Sequence, residues 1–200
     1  ISVAETFRVD TLYRSALPGA FTKGDGPRLT NTAYERGIDE RRLMRGDVIS
    51  LSDGLTLEVL HPPARGRFSS NNGSLVLRLV RNGEGLALFC GDAERSALKR
   101  ILRSGAPLQA HVLVLPHHGS ISSLLPEFYD AVQPETALIS SGSYNNFSFP
   151  HPDVLAALKE RGIPVFNTAE CGEIRLSWTG ESRSPSLRFG RQGTTWIGPG

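Results

Sequence analysis

Leu113-Val114-Leu115-Pro116-His117-His118-Gly119-Ser120 is an apolar β-type run that delivers two adjacent histidines into a Gly-Ser turn. Upstream, Leu86-Ala87-Leu88-Phe89-Cys90-Gly91-Asp92 does the same for a carboxylate, and downstream Phe149-Pro150-His151-Pro152 presents a third histidine. Near-continuous apolar strands of this kind belong in the middle of a sheet covered on both faces. A sheet between helices binds ligands in the crevice at its strand ends, where Asp92 and the histidines fall.

Outward from that stretch, residues 112–115, 136–140 and 165–166 read as short apolar strands separated by helices. One helix spans roughly 124–132, opened by Ser123 with Pro126 in its first turn. Another spans roughly 152–161 and ends at Gly162. Strands alternating with helices give an α/β second half. The first half is β-rich. Residues 6–14 alternate apolar and polar as a half-buried strand would, 28–36 suit a short helix ended by Gly37, and 43–44, 48–51 and 55–60 are β-type pieces. Ser52-Asp53-Gly54 and Asn82-Gly83 are hairpin turns, the latter joining 74–80 to 86–90. Residues 93–103 carry helical spacing, with Ala93, Ala97 and Ile101 inward. Residues 173–178 alternate again as an edge strand. The expected unit is a single domain over 1–180, followed by a tail over 181–200 that is a short strand or disordered.

Two hundred residues can bury a proper core, and a formal charge of +2 is too small to signal nucleic-acid binding by itself. Two cysteines make no disulfide framework, and Cys90 reads as a small core residue. No apolar run approaches the roughly eighteen residues of a membrane span. A serine-hydrolase elbow is excluded because Gly119-Ser120-Ile121-Ser122-Ser123 lacks the second glycine. Neither a phosphate-binding P-loop nor a dinucleotide fingerprint occurs.

Each candidate residue has two readings. Asp92 is either the N-cap of the helix that follows or a metal ligand, since both roles need a rigid strand end. His117 and His118 look like a site, but strand geometry sends neighbours to opposite sides, so only one is a direct ligand unless the strand has already ended. His151, between two prolines, either starts a helix or acts as an acid/base or phosphate contact. His61 reads as structural, and His111 carries no assigned role.

Ser70-Asn71-Asn72-Gly73-Ser74-Leu75-Val76-Leu77, Leu88-Phe89-Cys90-Gly91-Asp92-Ala93-Glu94, Val114-Leu115-Pro116-His117-His118-Gly119-Ser120 and Phe149-Pro150-His151-Pro152 follow one another in that order. Together they closely resemble the metallo-β-lactamase-fold domain of the ComEC family, the DNA-internalisation competence proteins, from the first strand to about Trp178. Soluble phosphocholine esterases and stand-alone metal-dependent hydrolases are similar through the G-D and H-H-G-S motifs. The resemblance implies a four-layer αββα sandwich with a two-metal hydrolase site, zinc or manganese. In it Asp92 bridges the metals, His118 is a ligand, and His117 turns to substrate. His151 joins His117 as a catalytic candidate, and Asn72 and Ser120 are substrate-binding candidates. The implied partners are DNA and the membrane channel of a parent protein, with this part a soluble domain of a bacterial inner-membrane protein.

The family's H-x-H-x-D-H signature is absent, and Asn71 and Asn72 stand where a central histidine ligand is expected. Amide oxygens bind such metals weakly. The chain is therefore expected to carry half a metal site, either as a domain lacking its first strands, the reading favoured by the non-Met start, or as a degenerate member that has lost the metal, and to show weak or no stoichiometric metal binding. An apolar face open to self-association would accompany the missing strands. Two functions follow as alternatives: part of a metal-dependent nuclease, inactive alone, or a metal-less module binding DNA or a partner. Hydrolysis of another phosphodiester, such as a phosphocholine ester, is a further variant of the first.

Overall fold

A computed structural model describes residues 2–17, 24–68, 71–179, 182, 184–190 and 195–197. In chain order the elements are α1 (Ser2–Thr6), β1 (Thr11–Ser15), α2 (Gly26–Glu35), β2 (Asp39–Leu43), β3 (Val48–Ser50), β4 (Leu55–His61), β5 (Val76–Arg81), β6 (Glu84–Phe89) and α3 (Arg95–Arg103). They continue as β7 (Val112–Val114), α4 (Pro126–Val132), β8 (Thr136–Ile139), α5 (Pro152–Lys159), β9 (Val165–Asn167), α6 (Thr168–Cys171), β10 (Ile174–Ser177), β11 (Ser186–Phe189) and β12 (Thr195–Ile197).

Strands β3 to β9 form one seven-stranded sheet in sequential order. The pairings from β3 to β6 are antiparallel, and those from β6 to β9 parallel. Turn chemistry sets the antiparallel half. Asp53-Gly54 and Asn82-Gly83 all take positive φ, which matches hairpin turns to the strand twist. The parallel half needs crossovers, supplied in turn by the segments carrying α3, α4 and α5.

Period-two alternation then sorts the side chains. Leu88, Leu113, Ala137 and Ile139 pack under α3, α4 and α5, against Ala97, Ile101, Phe128 and Leu158. Ala87, Val112 and Leu138 face the other way, onto Leu187 with Ile174, Leu176 and Phe189. Those residues belong to the three-stranded sheet β10-β11-β12. The layers run helix, sheet, sheet, a mixed α/β sandwich built on one large mixed sheet.

One expectation changes. The helix α1 ends at Thr6 and the first strand starts at Thr11; within the intervening stretch Phe7 is exposed, while Val9 packs on the small core. The strand β1 pairs in parallel with β2, and Ala4, Ala33 and Ile38 make a small core beside this pair. Residues 186–189 form β11, and Leu187 is fully buried between the sheets. Leu187→Ala is expected to cost about 2–5 kcal/mol, the usual range for a buried leucine truncated to a cavity. A urea midpoint equal to wild type would mean that β11 does not hold the second sheet in place.

No helix among the described residues is long and apolar enough to cross a membrane.

A histidine–aspartate cleft at the strand ends

The cleft is built where β6 and β7 end. After β6 the chain turns at Gly91, whose φ is +53°. A Cβ there would lie 3.2 Å from Ser74 Cβ and 3.3 Å from the Leu75 carbonyl oxygen, so only glycine lets the strand end sit this close. The Asp92 amide donates to Ser74 Oγ at 3.2 Å, which holds the next side chain at the rim.

Asp92 does not cap α3. Glu94 occupies the cap position without a side-chain cap bond, and the Ala97 amide in the first turn is satisfied by Asn72 Oδ1 at 3.1 Å. The other end of that amide, Asn72 Nδ2, donates to Glu94 Oε2 at 2.8 Å. Asn72 is buried, and both ends of its side chain serve the start of α3. The structure thus places Asn72 at the start of α3, bonded to Glu94 and the Ala97 amide. Its carbonyl accepts from His61 Nε2 at 2.9 Å, and His61 is likewise buried.

Burial pushes the His61 imidazole below its ordinary value, outweighing the hydrogen bond to Asn72, and Arg100 and Arg45 push the same way. A group depressed in the fold stabilises it above the unfolded value and loses that stability as pH falls through the folded one. Stability is expected to be flat at pH 7–8 and to decline below about pH 6.5. In urea titrations His61→Gln should flatten that decline. A variant falling as steeply as wild type would place the titration elsewhere.

The strand β7 ends at Val114, before the histidines. His117 (φ 48°, ψ 44°) and His118 (φ 55°, ψ 22°) are both left-handed within a short 3-10 turn over Pro116–Gly119. Each costs roughly 1–2 kcal/mol against a right-handed conformation. The His117 amide donates to the Gly91 carbonyl at 2.8 Å, locking the two strand ends together. The alternation argument thus lapses, and both imidazoles line one cleft of about 330 Å³ with Asp92, Ser140 and Phe149.

The two rings make different contacts. His118 Nδ1 lies 2.6 Å from the Ser140 carbonyl, which can only accept, so Nδ1 carries a proton. That leaves Nε2 facing Asp92 Oδ1 at 3.4 Å, with both groups about half exposed. Fixing a histidine through a carbonyl on its far nitrogen is how metal-binding imidazoles are oriented. His117 Nδ1 instead meets Ser122 Oγ at 3.2 Å and Glu94 Oε1 at 3.6 Å. Ser120 is buried and hydrogen-bonded to Ser122, so it stands behind His117 rather than at the cleft wall. His151 caps α5, its Nδ1 accepting from the Asp153 amide at 3.2 Å, and is not among the residues lining the cleft. Its own amide donates to the Gly119 carbonyl at 2.9 Å, which ties the Phe149-Pro150-His151 segment to the histidine turn.

The described residues gather no group of three or more His, Cys, Asp or Glu placed to hold a metal. Catalytic zinc takes about three protein ligands. Asp92 and His118 supply two donors, so these residues alone do not fit a two-metal centre. Cys90 is unsuited to act as a nucleophile: it is fully buried, and burial drives its thiol far above the ordinary range.

Over 166 residues the chain is 34% identical to ComE operon protein 3 of Bacillus subtilis, covering 82% of this chain and 21% of that protein. Competence protein ComA of Neisseria gonorrhoeae is 36% identical over 125 residues, covering 62% of this chain and 18% of that protein. The chain is a homologue of the ComEC-family competence proteins. It spans about a fifth of the length of these ComEC relatives. No family profile matches the chain. Among solved structures, Igni18, a metallo hydrolase from Ignicoccus hospitalis, is similar with a TM-score of 0.48 at 14% identity, covering 82% of this chain and 78% of that one.

Sequence reasoning missed Glu94, which links Asn72 to His117, and the Ser140 carbonyl that orients His118. It also passed over Phe147 and Phe149. The signal there was Phe147-Ser148-Phe149, two rings in an uncharged loop beside His151.

Proposed function

We propose that this chain carries the Asp92–His118 side of a phosphodiesterase site that cuts DNA in a ComEC-type competence protein, as a domain of a larger bacterial membrane protein. The observation that carries this reading is the pair itself. A carboxylate and an imidazole Nε2 lie 3.4 Å apart on one wall, and the far imidazole nitrogen is anchored to a carbonyl. On this reading the remaining ligands, an H-x-H-x-D-H segment and divalent zinc or manganese belong to a longer protein. His117, between Ser122 and Glu94, is positioned to hold or pass a proton at Nδ1. Phe149 walls one side of the cleft from water. The similarity to competence proteins supports DNA as the substrate of this reading.

A second reading is a module that binds DNA or a partner without chemistry. It is favoured by the lack of a third ligand among the described residues. The two separate in one assay, DNA cleavage by a longer protein with Asp92 intact or replaced by Ala. Asp92-dependent cleavage supports the enzyme, and its absence supports the module.

A further inference from the structure

Three rings lie in one column at the cleft. Phe147 stacks on Phe149 at 5.5 Å between centroids with 18° between planes, and Phe149 stacks on His118 at 6.2 Å and 23°. These are offset-stacking distances. The column starts at the Asp92–His118 pair and ends in solvent, where Phe147 is 75% exposed. We infer that this column is a stacking subsite for the bases of single-stranded nucleic acid entering the cleft. The inference rests on reading the cleft as a DNA site and adds which form of DNA it takes.

The loop that carries the rings is braced. Asn145 Nδ2 donates to the Phe149 carbonyl at 2.9 Å, and its Oδ1 accepts from the Phe149 amide at 2.7 Å. Ser143 Oγ donates to the Ala169 carbonyl at 3.0 Å, and Ser141 Oγ to Asn167 Oδ1 at 2.8 Å, pinning the loop to the β9–α6 junction. Rings held in advance lose little freedom when a ligand arrives.

Charge narrows the ligand. Residues 140–150 contain no Asp, Glu, Lys or Arg, so the loop neither repels a polyanion nor grips its phosphates. What it offers is π-faces and amide groups, the chemistry that recognises bases rather than backbone. In a duplex the base faces are already stacked on one another, so a single strand is the form that can use the column. A flat ring continues the Phe147–Phe149–His118 stack at its open end.

The test uses the 200-residue chain and fluorescence anisotropy with three labelled probes: a thymidine oligomer of about ten nucleotides, an abasic oligomer of equal length, and a duplex. Binding is expected to be tightest for the base-bearing single strand. Phe147→Ala should weaken it roughly 10-fold and leave the abasic oligomer unchanged, whereas Phe147→Trp should retain it. Phe147 is mostly exposed, so these variants keep the fold. Equal affinity for abasic and base-bearing strands, no binding of the single strand, or Phe147→Ala with unchanged affinity would overturn the subsite. The assay reads no cleavage. Stacking without cleavage in the longer protein overturns the hydrolase reading alone, and cleavage without stacking overturns this subsite alone.

Discussion

If the cleft is the proposed phosphodiesterase site, Asp92→Ala in a longer protein that cleaves DNA is expected to lower that cleavage by roughly 10³-fold or more, about 4 kcal/mol of lost transition-state stabilisation. The side chain is suited to a clean test. Its carboxylate is half exposed and faces His118, while the backbone amide keeps its bond to Ser74 in the variant. Little folding energy is therefore at stake, and the melting temperature should stay within about 2 °C, as for surface substitutions generally. Asp92→Asn should fail nearly as badly, because it keeps the shape and removes the charge. Wild-type cleavage by either variant, measured on labelled single-stranded and duplex DNA, would remove Asp92 from the site.

Gly85→Ala is expected to have the largest effect on stability. Gly85 is buried in β6, and a Cβ there would lie 2.0 Å from the Gln109 carbonyl oxygen and 2.6 Å from Arg78 Nε. No rotamer relieves a contact with backbone. The clash also falls on a buried charge: Arg78 is 5% exposed, donates to Gln109 O at 2.9 Å and pairs with Glu58 at 3.0 Å. Disrupting a buried ion pair costs about 3–5 kcal/mol. For a chain of this size that corresponds to a fall in melting temperature of roughly 6–20 °C. Gly83→Ala is the control. Its φ is +83° but nothing lies within 4 Å of the new Cβ, so it should cost only about 1–2 kcal/mol. Equal melting temperatures for the two variants would show that the Arg78 pocket yields without cost.

Much of this was legible in the residues. Asp53-Gly54 and Asn82-Gly83 announced their hairpins because few other residues tolerate positive φ. Pro126, Pro152 and Gly162 marked helix boundaries for equally local reasons. Asp92 and the histidine pair were found because apolar strands ended on polar groups. The role of Asn72 was not legible: the amide it caps is twenty-five positions away in sequence. The backbone of His117 and His118 was hidden too, since their left-handed conformation is imposed by the bond to Gly91 and by the packing of Gly119 on Pro150.

By itself the sequence determined what local chemistry controls: the hairpins, the order of strands and helices, and the strand ends where Asp92, His117 and His118 appear. Only the tertiary structure decided that residues 186–189 close the second sheet, because Leu187 has no partner until Ala87, Val112 and Leu138 are assembled beneath it. It also decided which imidazole faces Asp92. Two adjacent histidines are chemically identical, and what distinguishes them is the Ser140 carbonyl behind one and Ser122 and Glu94 beside the other, contacts made across 22, 5 and 23 positions of chain.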